Sequence, residues 1–204
     1  KDHLMLNPVT PAFEDQLRSL LPAAAFKEDT APYMSEPRGR HAGQGIVIAP
    51  GSTDEVATLV GACAEASVGI IPYGGGTGLV GGQLTDQGPK PVVLSLERMN
   101  KIRAIYPTEN VLVCDAGVIL ADVQKAAEDV DRLFPLSLAS EGSARVGANA
   151  AGQWQLNASV VVADSHAPKG KPQSDWICSV GVSGPAGFTK DLNAKPVLPA
   201  NRDG

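Results

Sequence analysis

Residues 72 to 82 read Pro-Tyr-Gly-Gly-Gly-Thr-Gly-Leu-Val-Gly-Gly, and six of these eleven positions carry no Cβ. Glycine loses more conformational freedom on folding than any other residue. A cluster this dense therefore answers a steric demand: repeated positive φ, or backbone pressed against something. Consecutive N–H groups in such a run can converge into a concavity that binds anions without a cationic side chain. We read the segment as a loop that wraps a diphosphate. The plain alternative is a flexible surface linker. Leu79 and Val80 inside the run argue against it, because apolar side chains there predict a loop that packs down.

Three kinds of phosphate loop compete. A triphosphate-binding loop ends in Gly-Lys-Ser/Thr, whereas this one closes with Gly81-Gly82-Gln83, so that reading fails. The dinucleotide fingerprint G-x-G-x-x-G is formally present at Gly76, Gly78 and Gly81. It must open a helix, however, and the following Gln-Leu-Thr-Asp-Gln-Gly-Pro-Lys-Pro cannot form one. There remains a loop that holds the diphosphate by itself, between two strands. A second small-residue stretch runs from Phe134 to Gly152 and offers Ser140, Ser143 and Asn149 as short donors beside glycines. Its plain alternative is a surface loop.

The surrounding pattern is mixed. Thr10 before Pro11 and an acidic first turn predict a capped helix. Residues 27 to 44 are polar and interrupted by Pro and Gly, which predicts an extended loop. Ile46 to Ala49 is a strand candidate. Ser52-Thr53-Asp54-Glu55 then opens a helix to about Ala66, with Val56, Leu59, Val60 and Cys63 as its inward face. Gly69 to Pro72 is the next strand, and the unit fits a right-handed parallel crossover. Strands follow at 91–96, 101–106 and 110–116. The last two pair antiparallel across Pro107-Thr108-Glu109-Asn110, and Ile102, Ala104 and Tyr106 share a face. A helix over 119–130 turns Leu120, Val123, Ala126 and Ala127 inward. The fold class expected is α+β, a parallel β-α-β unit plus antiparallel strands. Residues 154–163 are a further strand candidate. Beyond Asp164, Pro168, Pro172, Pro185, Pro196 and Pro199 break any periodicity. The division expected is 1–44 as N-terminal helix and loop, 45–152 as the ligand-binding domain and 153–204 as a divergent, irregular tail.

A net charge of −5 disfavours a nucleic-acid partner. Cys63, Cys114 and Cys178 are odd in number and far apart, so they read as reduced, buried thiols rather than a disulfide frame or zinc site. No run of eighteen apolar residues is present to span a membrane. Asp2, Glu14 and Asp15 near a start at Lys1 are unlike a transit peptide. The compartment expected is cytoplasmic. His166 stands alone, and no metal site is expected.

Together these motifs resemble a known family. Ile-Val-Ile-Ala-Pro, Ser-Thr-Asp-Glu-Val, the loop 72–82, Leu-Ser-Leu-Glu-Arg-Met-Asn-Lys-Ile, Asp-Ala-Gly-Val and Phe-Pro-Leu-Ser-Leu-Ala-Ser-Glu-Gly-Ser occur in that order. The sequence is similar to the PCMH-type FAD-binding domain of the vanillyl-alcohol-oxidase flavoproteins over about residues 38 to 150. Within that family it resembles the D-2-hydroxyacid dehydrogenases: the glycolate oxidase FAD subunit and the D-lactate and D-2-hydroxyglutarate dehydrogenases. The resemblance implies FAD as cofactor. Pro72, Gly74, Gly75, Gly76, Thr77, Gly78 and Leu79 would lie along its diphosphate, and Ser140, Ser143, Gly147 and Asn149 along the diphosphate, ribityl chain or flavin. It further implies oxidation of a small 2-hydroxyacid by hydride transfer to flavin. The first loop holds no His, so non-covalent FAD is expected.

Departures from the family pattern set the remaining expectations. Ala148 replaces a glycine in the second motif, where a Cβ would crowd the flavin. Past Gly152 no resemblance continues, which leaves the domain incomplete at its C-terminus, as a shifted reading frame or altered terminus would do. No catalytic base is assigned, and a substrate would be met only with further chain or a partner subunit. The rival class is a non-catalytic remnant or partner-binding subunit of the same fold. A UDP-sugar is a third, different ligand.

Overall fold

The structure, a computed structural model, describes residues 6–149, 157–161 and 163–164. Helix α1 spans Pro11–Leu20, and the Thr10 hydroxyl caps it by accepting the Phe13 N–H at 3.2 Å. Strand β1 (Ile46–Ile48) leads into α2 (Thr53–Glu65), and β2 (Ile70–Tyr73) follows. The glycine loop connects β2 to β3 (Val92–Ser95).

These three strands form one parallel sheet in the order β1-β3-β2, with Val92 opposite both Ile46 and Ile70. The crossover from β1 to β2 therefore leaves a gap that β3 fills. All four β3 residues are buried, as the central strand of a parallel sheet requires. Side chains from α1 (Phe13, Leu17) and α2 (Val56, Leu59, Cys63) pack with Ile48, Leu94 and Met99 in one core. The N-terminal segment is thus built into the same core as the parallel sheet.

The inward face of α2 differs from expectation at one position. Val60 is 38% exposed, and Ala62 is buried in its place. Leu59 and Cys63 centre the buried stripe so that Val60 falls on its rim.

The antiparallel part begins with β4 (Ile102–Tyr106) and β5 (Val111–Asp115), which pair as expected. A bulge between Ile102 and Ala104 shifts the phase of β4. Ile105 therefore packs inward, while Tyr106 is half exposed, so Tyr106 does not share a buried face with Ile102. Helix α3 (Leu120–Glu128) lays Leu120, Val123 and Ala127 inward. Val123 and Ala127 close a second core with Leu112, Cys114, Val118 and Val146. Strand β6 (Arg132–Leu133) and the short helix α4 (Val146–Asn149) follow.

The strand expected across 154–163 is present over Asn157–Val161 as β7, antiparallel to β5, with β8 (Ala163–Asp164) against β6. The irregular tail expected beyond Asp164 lies outside the described residues. Cys63 and Cys114 are buried and unpaired with each other, and Cys178 and His166 lie outside the described residues. Among the described residues no helix is long and apolar enough to cross a membrane.

Candidate functional site

All three parallel strands point their carboxyl ends the same way, toward the edge where open α/β sheets receive ligands. β2 ends there in the glycine loop, and β3 ends there in Leu96-Glu97-Arg98-Met99. The loop has an unusual hydrogen-bond polarity. Among the described residues, no hydrogen bond takes a backbone N–H of residues 74–82 as its donor. Two of the loop's carbonyls are instead held from within by Gln83, whose Nε2 donates to Gly78 O at 2.9 Å and to Gly76 O at 3.5 Å. The loop thus has some of its acceptors engaged and its donors uncommitted, and residues 72–83 contain no carboxylate. Such a donor set suits a diphosphate, whose oxygens only accept.

The glycines answer specific contacts. A Cβ on Gly75 would overlap the Ser143 carbonyl oxygen and lie 2.8 Å from its carbon. The two small-residue stretches predicted to serve one ligand therefore touch at this point. Gly76 has φ +68° and Gly81 φ +74°, the left-handed region glycine favours. A Cβ on Gly76 would collide with the Tyr73 hydroxyl. One on Gly81 would meet the His41 imidazole at 3.0 Å. No His lies within the loop's own sequence, yet the fold brings His41 against it.

Other predicted residues separate into distinct settings. Pro72 is exposed on β2, and Thr77 is half-buried. Leu79 and Val80 do not pack down: they are 45% and 87% exposed. The loop's conformation is held by Gln83 and by glycine contacts, so its apolar tip is left at the surface. In the second stretch the Ser140 carbonyl accepts from the N–H groups of Ser143 (2.9 Å) and Ala144 (2.7 Å), closing a tight turn. Ser143 itself is exposed. The Gly147 N–H donates to Ala116 O at 2.7 Å, and a Cβ there would press on Ala116 and Leu96, each at 2.9 Å. Close packing alone therefore accounts for glycine at 147. Asn149 ends α4, and the side chains of Ala148 and Asn149 lie outside the described residues.

A polar cluster that sequence reasoning missed lies beside the loop. Tyr73 and Tyr33 meet edge to face with ring centroids 5.1 Å apart. The Tyr33 hydroxyl donates to Glu97 Oε2 at 2.7 Å, and Lys27 pairs with the same carboxylate. Burial pushes the Tyr33 phenol up, and the bond to Glu97 adds to the shift. Tyr73 is raised by burial and then by the Glu97 charge, with Arg145 opposing. Burial would raise Glu97 too, but the donors Lys27 and Tyr33 outweigh it and hold the carboxyl below its ordinary range. Arg145, from the second stretch, donates to Gly117 O at 2.6 Å. Glu36, 3% exposed, accepts N–H groups from Arg38 (2.6 Å), Arg40 (2.5 Å) and His41 (3.3 Å), which fixes the turn that carries His41. These partners stand far apart in the chain, Tyr33 and Glu97 by 64 residues. Only Gln83, directly after the glycines, had a local signal.

Fold and site define a mixed α+β domain whose glycine loop carries a run of uncommitted amides. The chain belongs to the FAD binding domain family, which matches residues 45–155, and FAD is the cofactor of that domain. The chain is 35% identical over 126 residues to the D-2-hydroxyglutarate–pyruvate transhydrogenase of Saccharomyces cerevisiae, covering 61% of this chain and 23% of that protein. It is 30% identical over 152 residues to the mitochondrial D-2-hydroxyglutarate dehydrogenase of Bos taurus, covering 71% of this chain and 27% of that protein. Against the putative mitochondrial D-lactate dehydrogenase of Schizosaccharomyces pombe the identity is 34% over 116 residues, covering 54% and 21%. The chain thus spans about a quarter of the length of these relatives. A solved alkyldihydroxyacetonephosphate synthase shares the fold with TM-score 0.60 at 20% identity, over 71% of this chain and 32% of that one.

Proposed function

We propose that this chain is the FAD-holding part of an oxidoreductase acting on D-2-hydroxyacids such as glycolate, D-lactate or D-2-hydroxyglutarate. The observation that carries the reading is the run of uncommitted N–H groups over residues 74–82, whose neighbouring carbonyls are engaged by Gln83. Bound FAD would supply a two-electron acceptor for the substrate's Cα hydride. Amides of Gly74, Gly75, Gly76, Thr77, Gly78 and Leu79 would hold the diphosphate, with Pro72 at the loop's entry. Ser140, Ser143, Gly147 and Asn149 would line the cofactor from the second stretch, Ser143 by its exposed hydroxyl and Gly147 by close packing. No base is assigned for the hydroxyl proton. Further polypeptide or a partner subunit would supply it together with the substrate contacts.

FAD is held without a covalent bond in this reading, and acid precipitation should release all flavin into the supernatant. Free Cys63 and Cys114 suit a reducing compartment, which we read as the cytoplasm. Localisation of a tagged chain to mitochondria would overturn that assignment.

The test of the function is direct. The purified chain should show flavin absorption or, if colourless, a melting temperature that rises with added FAD. Bleaching of bound flavin by one of the three acids under anaerobic conditions would establish the substrate. A chain that binds FAD but is bleached by none fits a part completed by further polypeptide as well as a non-catalytic subunit, and adding the missing part decides between them. Displacement by UDP but not by FAD would replace the cofactor assignment altogether.

A further inference from the structure

Tyr73 ends β2 and stands directly below the glycine loop, with its ring buried between Val47 and Val93 and its hydroxyl at the surface of that small core. The hydroxyl lies where any side chain at Gly76 would have to go, and the ring carbon Cζ is 2.9 Å from the same point. Gly76 is the residue at which the loop turns into the left-handed region. The hydroxyl itself is anchored by donation to Pro32 O at 3.3 Å. Tyr33, next in sequence to Pro32, presses edge-on against the Tyr73 ring and is tied by its own hydroxyl to Glu97. Glu97 is in turn held by Lys27. A continuous chain of contacts therefore runs from Lys27 through Glu97, Tyr33 and Tyr73 to the bend of the loop.

We infer that Tyr73 is a positioning residue for FAD: its hydroxyl sets the bend at Gly76 and so aims the amides of residues 74–78, with Tyr33 and Glu97 as its brace. The inference rests on the FAD reading above and deepens it. Loop amides that donate no internal hydrogen bond need support from the groups around them to keep their direction. Gln83 restrains the far side through the Gly76 and Gly78 carbonyls. Tyr73 restrains the near side by steric contact.

The experiment compares Tyr73→Phe with Leu17→Ala, a change on α1 in the main core rather than in the Tyr73 cluster. Tyr73→Phe removes one hydroxyl and is expected to weaken FAD binding about tenfold, the effect of one lost hydrogen bond transmitted to the ligand. It should also displace the amide cross-peaks of Gly74, Gly75 and Gly76 in the FAD-free protein. Leu17→Ala should lower the melting temperature at least as much while leaving FAD affinity and those peaks unchanged. Glu97→Ala should weaken FAD binding in the same direction as Tyr73→Phe. Gly76→Ala should be less harmful to FAD binding in the Tyr73→Phe background than alone, because the colliding oxygen is gone.

Equal FAD affinity and unmoved glycine peaks in Tyr73→Phe would overturn the inference. So would parallel losses in Leu17→Ala, which would reduce Tyr73 to a general packing role. If the unaltered chain fails to bind FAD, the cofactor assignment falls, whereas the cross-peaks still decide whether Tyr73 shapes the loop.

Discussion

A methyl group at position 75 would occupy the space of the Ser143 carbonyl, and neither loop can withdraw without losing the contact between them. Gly75→Ala should therefore separate the two small-residue stretches. Overpacking of this kind costs about 1–3 kcal/mol, so FAD affinity should fall roughly 10- to 100-fold, measured by flavin fluorescence titration. An unchanged affinity would mean that the contact is irrelevant to binding. At this scale the sequence was legible in part. Glycine density announced that backbone approaches something closely, but not that Gly75 meets Ser143 while Gly76 meets Tyr73. Leu79 and Val80 show the limit: apolar character implies a need for burial, yet it does not say which surface will provide it.

Local signals performed well where the physics is local. Ser52 accepts the Glu55 N–H at 3.2 Å, and the Glu55 carboxylate reaches back to the Gly51 N–H at 2.7 Å, so both ends of a capping arrangement are present. Arg98 adds a third tie, donating to Ala49 O at 2.8 Å beside the same carboxylate. Ser52→Ala should lower stability by about 1 kcal/mol, seen as a melting temperature lower by roughly 2–4 °C for a chain of this size. No change would show that water replaces the cap without loss. Helices with caps and a clear inward stripe were readable to within a residue or two. The bulge in β4 was not, because it depends on how β4 and β5 align across their ladder. For the same reason, the position of β3 between β1 and β2 could not be read from a crossover pattern alone.

Among the described residues the two larger cores meet where Gly117 touches the chain after β3. A Cβ on Gly117 would overlap Leu96 O and lie 2.6 Å from Met99 O, and the Gly117 N–H donates to that Met99 carbonyl at 2.8 Å. The cores carry the two described thiols, and burial pushes both Cys63 and Cys114 up to about 11. Mass-resolved alkylation at neutral pH should spare both in the native protein and modify both once denaturant is added. Labelling of either under native conditions would contradict its place in the core. The same groups give stability a two-sided pH dependence. Glu36 and Glu97 are held below their ordinary range. Their contribution is complete above the unfolded carboxylate value of about 4.3 and is lost as pH falls through the folded ones. The raised thiols act oppositely: stability declines as pH rises past the unfolded thiol value of about 8.5. The melting temperature should be flat between roughly pH 5 and 8 and fall on either side. In Glu97→Gln the acid limb should be shallower, and an unaltered limb would remove Glu97 from the account.

Because β3 lies between β1 and β2, the two outer strands lack their shared sheet partner until residues 92–95 have emerged from the ribosome, and β1 has only the bridge from Ile48 to Phe26 before then. Before that moment the nascent chain offers two unpaired apolar edges and a string of glycines, a state open to chaperones and proteases. Translation-arrested chains ending at residue 90 should be cut readily by protease. Chains long enough to expose residue 116 outside the exit tunnel should resist. In this protein the glycine loop is made before the strand against which it is set.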